Sequence, residues 1–277
     1  MRSAPPTPSR GAHRLPGTVL LGAGLLGAIV LVAVLAMLVW TGVIWPGRIF
    51  ASGHEVRGVD VSSYQGEIDW PTLAGNDLDF AYLKATEGSS YVDERFVENW
   101  EHARSTDLLV GAYHFVSFES PGRSQAQHVI DTVPTGGTLP IAVDVEFYGD
   151  YFEDPPSRAE VDAILVPLLD ELTAHYGIPP VIYTTADAYQ LYIDGSYADS
   201  PIWIRSVVLP PDLGDGRPWT FWQYSHRDRR EGYDGQERYI DMNVFAGSRA
   251  ELAMLVERAE DFAPITEAML SLTALPV

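Results

Sequence analysis

The chain contains no cysteine, which excludes disulfides, iron–sulfur clusters, thiolate zinc sites and a cysteine nucleophile. Basic residues are scarce. Eighteen Lys+Arg stand against 38 Asp+Glu, a net charge of −20, so there is no basic stripe of the kind duplex nucleic acid requires. The acid excess reads as a solvated surface. No phosphate-cradling glycine loop, histidine cluster or internal repeat is found, and Lys84 is the only lysine. What is present is apolar: 46% of the 277 residues are hydrophobic and 11% aromatic. That is too rich in rings and hydrocarbon for a disordered chain, and the length suits one α/β barrel.

The N-terminus is a different material. Arg2, Arg10 and Arg14 sit in a Pro/Ser-rich leader, and no further charge appears before Arg48. Between them, Val19 to Trp40 is almost wholly Leu, Val, Ala, Ile and Gly. A signal-peptide core runs about 7–15 residues and a spanning helix needs about 20, so this stretch is long enough to span. Arginines before it and few basic residues after it place the N-terminus in the cytoplasm and the remainder outside. The expected organisation is a cytoplasmic leader over 1–17, a transmembrane signal anchor over 18–45 and a short linker over 46–55. A barrel follows over 56–262, then a tail over 263–277. Trp40 and Trp45 suit the outer membrane interface. Cleavage after the small residues Ala51, Ser52 and Gly53, giving a secreted protein, is the weaker alternative.

Beyond residue 54, short apolar runs alternate with amphipathic stretches. Strands are expected at Val56–Val61, Asp79–Lys84, Leu109–Phe115, Leu139–Val145, Pro180–Tyr183, Ile202–Ile204, Thr220–Tyr224 and Tyr239–Val244. Asp93–Arg104 places Phe96, Val97, Trp100 and Ala103 on one helical face. Ser120-Pro121 reads as an N-cap followed by a proline at the first helical position. Ser157 to Glu160 is a capping box, Gly177 a stop, and Pro167 predicts a kink between them. Eight strands with helices between the earlier ones predict a closed β/α barrel, irregular where the last strands follow without long helices.

In a parallel barrel the chemistry sits at the strand C-terminal ends; two strands end in acids, and the last strand contains one. They are Asp60 in Gly58-Val59-Asp60, Asp144 and Glu146 in Ile141-Ala142-Val143-Asp144-Val145-Glu146, and Asp241 in Tyr239-Ile240-Asp241. Residues i and i+2 of a strand share a face, so Asp144 and Glu146 project together with Cα atoms roughly 6.5 Å apart. Carboxylates that close do not both ionise freely, so one keeps its proton. A glycosidase needs that combination: a protonated acid beside a charged stabiliser. Clustered oxygens also suit magnesium or calcium, the competing reading, although no histidine cluster accompanies them. No metal and no cofactor are expected.

Several motifs resemble one family in the right order. Gly58-Val-Asp60-Val-Ser-Ser-Tyr64-Gln65-Gly66 with Ile68-Asp69-Trp70 resembles the opening of the glycoside hydrolase family 25 muramidases. Leu83-Lys84-Ala85-Thr86-Glu87-Gly88, Gly111-Ala112-Tyr113-His114-Phe115 and Asp144-Val145-Glu146 are similar to later strands, and Phe221-Trp222-Gln223-Tyr224-Ser225 and Asp241-Met242-Asn243-Val244-Phe245 to the closing ones. The resemblance implies an irregular barrel of about five β/α units plus three further strands. It also implies cleavage of the β-1,4 bond between N-acetylmuramic acid and N-acetylglucosamine in peptidoglycan. On it, Glu146 is the general acid, and Asp144 stabilises developing positive charge or holds the substrate's N-acetyl group as it attacks. Asp60 and Asp241 orient substrate and tune Glu146. Adjacent side chains on one strand face leave little room for the separation of about 6.5–9.5 Å that a water-inverting pair prefers, though rotamers leave the stereochemical outcome open.

Lys84, ending a strand, needs an acidic partner if buried, and the cleft acids are expected to supply it; a plain surface lysine is the competing role. Tyr64, Tyr113, Tyr183, Trp203, Trp222 and Tyr224 form a candidate sugar platform, with Gln65, His114 and Gln223 as polar contacts. Core packing is the competing role for each ring, and a satisfied buried histidine for His114. Trp203-Ile204-Arg205 departs from the small residue that the resemblance leads one to expect after Trp-Ile. The segment Phe147–Pro156 is a candidate lid or subsite wall. The expected partners are peptidoglycan glycan strands and, through the N-terminal helix, the membrane, with no nucleic acid. The alternative is a non-catalytic wall-glycan-binding or scaffolding protein on the same barrel, which could lose the acids.

Overall fold

The computed structural model describes residues 17–40, 45–136 and 138–258. Residues 1–16 of the leader and the tail over 263–277 lie outside them. Two compact units divide the chain, 1–44 and 45–277.

In the first unit, α1 (Gly17–Trp40) is a helix of 24 residues without a charged side chain. Its side chains are described only from 25 to 39. Over the described residues no helix is long and apolar enough to cross a membrane, so the expected span is not shown.

The second unit is a barrel. Its strands are β1 (Arg57–Val61), β2 (Phe80–Glu87), β3 (Tyr91–Val92), β4 (Leu109–Phe115), β5 (Ala142–Val145), β6 (Val181–Thr185), β7 (Ile202–Arg205), β8 (Phe221–Asp228) and β9 (Ile240–Phe245). They hydrogen-bond in the order β1-β9-β8-β7-β6-β5-β4-β2-β3, and β1 also pairs with β2, which closes the ring. Short helices α3 (Trp70–Ala74) and α4 (Phe96–Ala103), then α5 (Gly122–Thr132) and α6 (Arg158–Tyr176), join the first five barrel strands. A helical turn over 186–193 follows β6, and β7 to β9 follow one another without a long helix. The strand β3 is a hairpin partner of β2 only. Its two exposed residues offered no apolar run to read.

Period-two alternation sorts the side chains. Phe80, Tyr82, Trp203, Phe221 and Phe245 fill the barrel interior, joined by Leu252 from a helical stretch over 249–258. The intervening residues, among them Ala81, Leu83, Val110 and Trp222, pack outward against the helices. On α6 the capping box forms as read: Ser157 Oγ accepts from Glu160 N and the Glu160 carboxylate accepts from Ser157 N. Gly177 closes the helix at φ 79°, a left-handed conformation that Gly adopts at little cost. The helix is continuous through Pro167. Two helix details differ from expectation. Pro121 occupies the cap position of α5, so the helix starts one residue later than read. On α4 the buried face is Phe96, Asn99, Trp100 and Ala103, with Val97 exposed. One residue is about 100° of helical rotation, which carries Val97 off the stripe, while Asn99 stays on it and accepts from Trp70 Nε1 at 3.1 Å.

Residues 46–55, expected as a linker, contain α2 (Pro46–Ala51), which packs on β8 as part of the barrel unit. Trp45, expected at a membrane interface, donates from Nε1 to the Tyr224 carbonyl at 3.2 Å.

Candidate active site

Seven barrel strands, β1, β2 and β4 to β8, run parallel, and β9 runs against them. The start of β9 therefore lies at the same mouth as the ends of its neighbours. Asp60 and Asp241 are direct partners across the antiparallel β1–β9 pair. A fully parallel barrel would have separated them; the reversed last strand brings them together. The strand β5 delivers Asp144, and the chain leaves the strand through Glu146.

All four acids line one cleft of about 310 Å³. Tyr64, Gln65, Lys84, Tyr113, Tyr183, Trp203 and Gln223 line it too. His114 and Trp222 do not, and alternation is the reason. Tyr113 and Gln223 face inward, so their neighbours His114 and Trp222 must face outward. His114 is fully buried between Thr86 Oγ1, at 2.8 Å from Nδ1, and Gln125 Oε1, at 3.0 Å from Nε2. Trp222 donates from Nε1 to the Ser206 carbonyl at 2.7 Å. Tyr224 is likewise packed outside the barrel wall. The expected sugar platform thus shrinks: Tyr64 stands exposed on the rim, while Tyr183 and Trp203 form a buried floor. The segment after Glu146 turns over Gly149–Phe152 and is tied to the loop after β4, where Phe118 N donates to Tyr148 Oη at 2.7 Å.

A hydrogen-bond chain holds the acid end of the cleft. Trp203 Nε1 donates to Asn243 Oδ1 at 2.8 Å, and Asn243 Nδ2 donates to Asp60 Oδ2 at 2.7 Å. Tyr183 Oη donates to Gln223 Oε1 at 3.1 Å, and Gln223 Nε2 donates to Asp60 at 3.0 Å and to Asp241 at 3.3 Å. Each amide is oriented by the donor behind it. Gln65 is committed to its loop: Oε1 accepts from Ser62 N at 2.9 Å and Nε2 donates to the Tyr239 carbonyl at 3.2 Å. The Lys84 ammonium, expected to pair with the cleft acids, pairs instead with Glu87 at 2.6 Å, which the bulge after Lys84 brings to it, and lies over the Phe115 ring.

Burial raises the pKa of all four acids. Asp144 and Asp241 lie well above the usual range, Asp144 further through repulsion by Glu146 and Asp241 through repulsion by Asp60. Asp60 is raised by burial and eased down by its bonds from Asn243 and Gln223. Glu146 is raised by burial, with the Arg205 guanidinium drawing it back. Four neighbouring carboxyls in one cleft oppose one another's ionisation. The Asp144 carboxyl has a further property: its Oδ1 is buried and without a hydrogen-bond partner among the described residues. Also among the described residues, no group of three or more His, Cys, Asp or Glu is arranged to hold a metal ion.

The profile of glycosyl hydrolases family 25 matches residues 59–233. Lysozyme M1 of Streptomyces globisporus is 35% identical over 220 residues, covering 72% of this chain and 71% of that one. The chain belongs to glycosyl hydrolases family 25. A family 25 glycosyl hydrolase from Bacillus anthracis superposes with a TM-score of 0.69 at 48% identity, covering 72% of this chain and 92% of its own. The bacterial lysozyme of Streptomyces coelicolor does so at 0.67 and 32% identity, covering 74% and 98%. The protein is a glycoside hydrolase of this family, and its relatives support peptidoglycan hydrolysis.

Within this family 25 barrel, sequence reasoning missed several cleft residues. Asn243 could have been found, since it lies two residues from Asp241 on the same strand face. Arg205 also shares a face with Trp203, and its charge lowers the pKa of Asp60, Glu146 and Asp241. His226, Glu237 and Tyr239 line the cleft without an alternation signal. The register of β8 against β9 shifts between Gln223 and Ser225 and again before Asp228, so counting by twos fails there.

Proposed function

We propose that this enzyme cleaves the β-1,4 bond between N-acetylmuramic acid and N-acetylglucosamine, with Glu146 as general acid and Asp144 as the residue that receives the substrate's acetamido N–H. The orphaned Asp144 Oδ1 carries this reading. A buried acceptor without a partner costs about 1–3 kcal/mol, and a donor on the bound sugar would satisfy it. Glu146 is less buried than Asp144 and makes no hydrogen bond among the described residues, which leaves its proton for the glycosidic oxygen. As that proton transfers, the bond from C1 to the leaving oxygen breaks, and the acetamido carbonyl oxygen bonds to C1. Asp144 as carboxylate stabilises the positive charge on the acetamido group. Water then adds at C1, returning one proton to Glu146 and releasing the acetamido group.

Relatives named N,O-diacetylmuramidase, from Chalaropsis sp and Arthroderma benhamiae, support the choice of sugar. The test is a digest of purified peptidoglycan. Reducing termini should be muramic acid; glucosamine termini would contradict the bond assignment. Strands stripped of their N-acetyl groups should resist cleavage and regain sensitivity on re-acetylation. Equal cleavage of both would contradict the role of Asp144.

We further propose that α1 anchors the enzyme in the cell membrane, N-terminus inside and barrel toward the wall. Its uncharged 24 residues match the length of a bilayer crossing, and the arginines of the leader set the orientation.

A further inference from the structure

The segment before the barrel packs against β8, the strand that carries the cleft-lining His226. Residues 45–51 precede the stretch that the family 25 profile matches, 59–233, yet they dock on the barrel through specific contacts. A Cβ on Gly47 would lie 2.2 Å from the Tyr224 carbonyl oxygen and 2.8 Å from that of Val207, so only glycine allows this approach. Arg48 Nε donates to Asp228 Oδ2 at 2.8 Å, and its terminal nitrogen pairs with the other oxygen of that carboxylate. The Asp228 side chain is 0% exposed, and a buried carboxylate that loses its partner is strongly destabilising.

This clamp delivers the Trp45 indole edge-on to the His226 imidazole, with ring centres 5.2 Å apart and planes at 85°. His226 lines the catalytic cleft beside Glu237 and Tyr239. Its Nδ1 is buried and unpartnered, and neither ring nitrogen makes a hydrogen bond among the described residues. Burial lowers its pKa to about 4, so the ring is neutral at pH 7, with one donor and one acceptor nitrogen.

We propose that Trp45 is a positioning residue for the cleft: held by α2 against β8, it fixes the His226 ring so that the imidazole hydrogen-bonds a hydroxyl or amide of the bound glycan strand. His226 is then a specificity-determining residue, and a segment outside the family-matched stretch sets substrate affinity. This rests on the glycan-cleaving role assigned to the cleft. A purely structural strap would change stability and leave affinity alone.

The test uses the full-length chain in two backgrounds. With soluble muropeptide oligomers, Trp45→Ala and His226→Ala should each raise KM roughly tenfold, the loss of about one hydrogen bond, with kcat within about twofold. The double variant should be no worse than either single one, and Trp45→Phe should restore most of the affinity. In the Glu146→Gln background, equilibrium Kd for the same oligomers should move by the same factors. Trp45→Ala that lowers Tm but leaves KM and Kd unchanged overturns the proposal, as does an unaffected His226→Ala. Absence of turnover in the wild type would instead count against the glycosidase assignment, and the binding arm would still decide the role of Trp45.

Discussion

Arg205 and Asp144 show most directly how single residues set this cleft. The Arg205 cation holds the Glu146 pKa below what burial alone would give. A general acid works protonated, so activity falls as pH rises through its pKa. Arg205→Gln should raise that pKa and move the alkaline limb of kcat/KM to higher pH, while Arg205→Lys should keep it near wild type. A limb that stays in place in Arg205→Gln would remove Arg205 from the electrostatics of the site. Asp144 concerns stability. Its folded pKa is raised above the unfolded value by burial and by Glu146. Its stabilising contribution is therefore present at low pH and lost as pH rises through the folded pKa. Asp144→Asn should thus be inactive yet have a higher Tm than wild type at pH 7, and the gain should vanish toward pH 3. A variant destabilised at both pH values would contradict the strain assigned to this carboxyl. These two residues also mark what the sequence conveyed. The spacing of Asp144 and Glu146 was legible because strand alternation is fixed, whereas the orphaned Asp144 oxygen depends on what the surrounding structure leaves unfilled.

Among the elements, α6 was the most legible, since its cap, apolar stripe and glycine stop are all local. Ser157→Ala removes an acceptor from Glu160 N and should lower stability by about 1 kcal/mol with kcat unchanged, measured by urea unfolding and turnover. A loss near zero would mean that packing on α5 alone holds the helix start. The strands were legible where both faces are buried and poorly so where pairing is irregular. The bulge in β2 between Lys84 and Thr86 and the shifts in β8 change which face a residue meets. That is why Glu87 meets Lys84 and why His226 reaches the cleft unannounced. His114 and Trp222 were misplaced for the opposite reason: alternation was in force, and each sits beside an inward neighbour. The docking of α2 rests on a buried carboxylate at Asp228, 180 residues away in sequence, and no local pattern encodes such a contact.

For the whole molecule, closure of the barrel converts acids spread over the chain from residue 60 to residue 241 into one site, with the reversed β9 completing the acid cluster. The uncharged α1 was legible as an apolar run because length and composition alone decide it. If it is the anchor, the full-length protein should stay with membranes through a carbonate wash. Recovery of the barrel in the culture fluid would mean that the leader is cleaved. Proton donation by Glu146 to a sugar linkage is the step on which the activity of the whole barrel depends. That step is measured most directly by the release of reducing muramic ends from purified peptidoglycan by the full-length chain and by Glu146→Gln. General acid catalysis is worth about 10²- to 10⁴-fold, so the variant should be slower by a factor in that range while binding the same glycan. Equal release by both proteins would contradict the account.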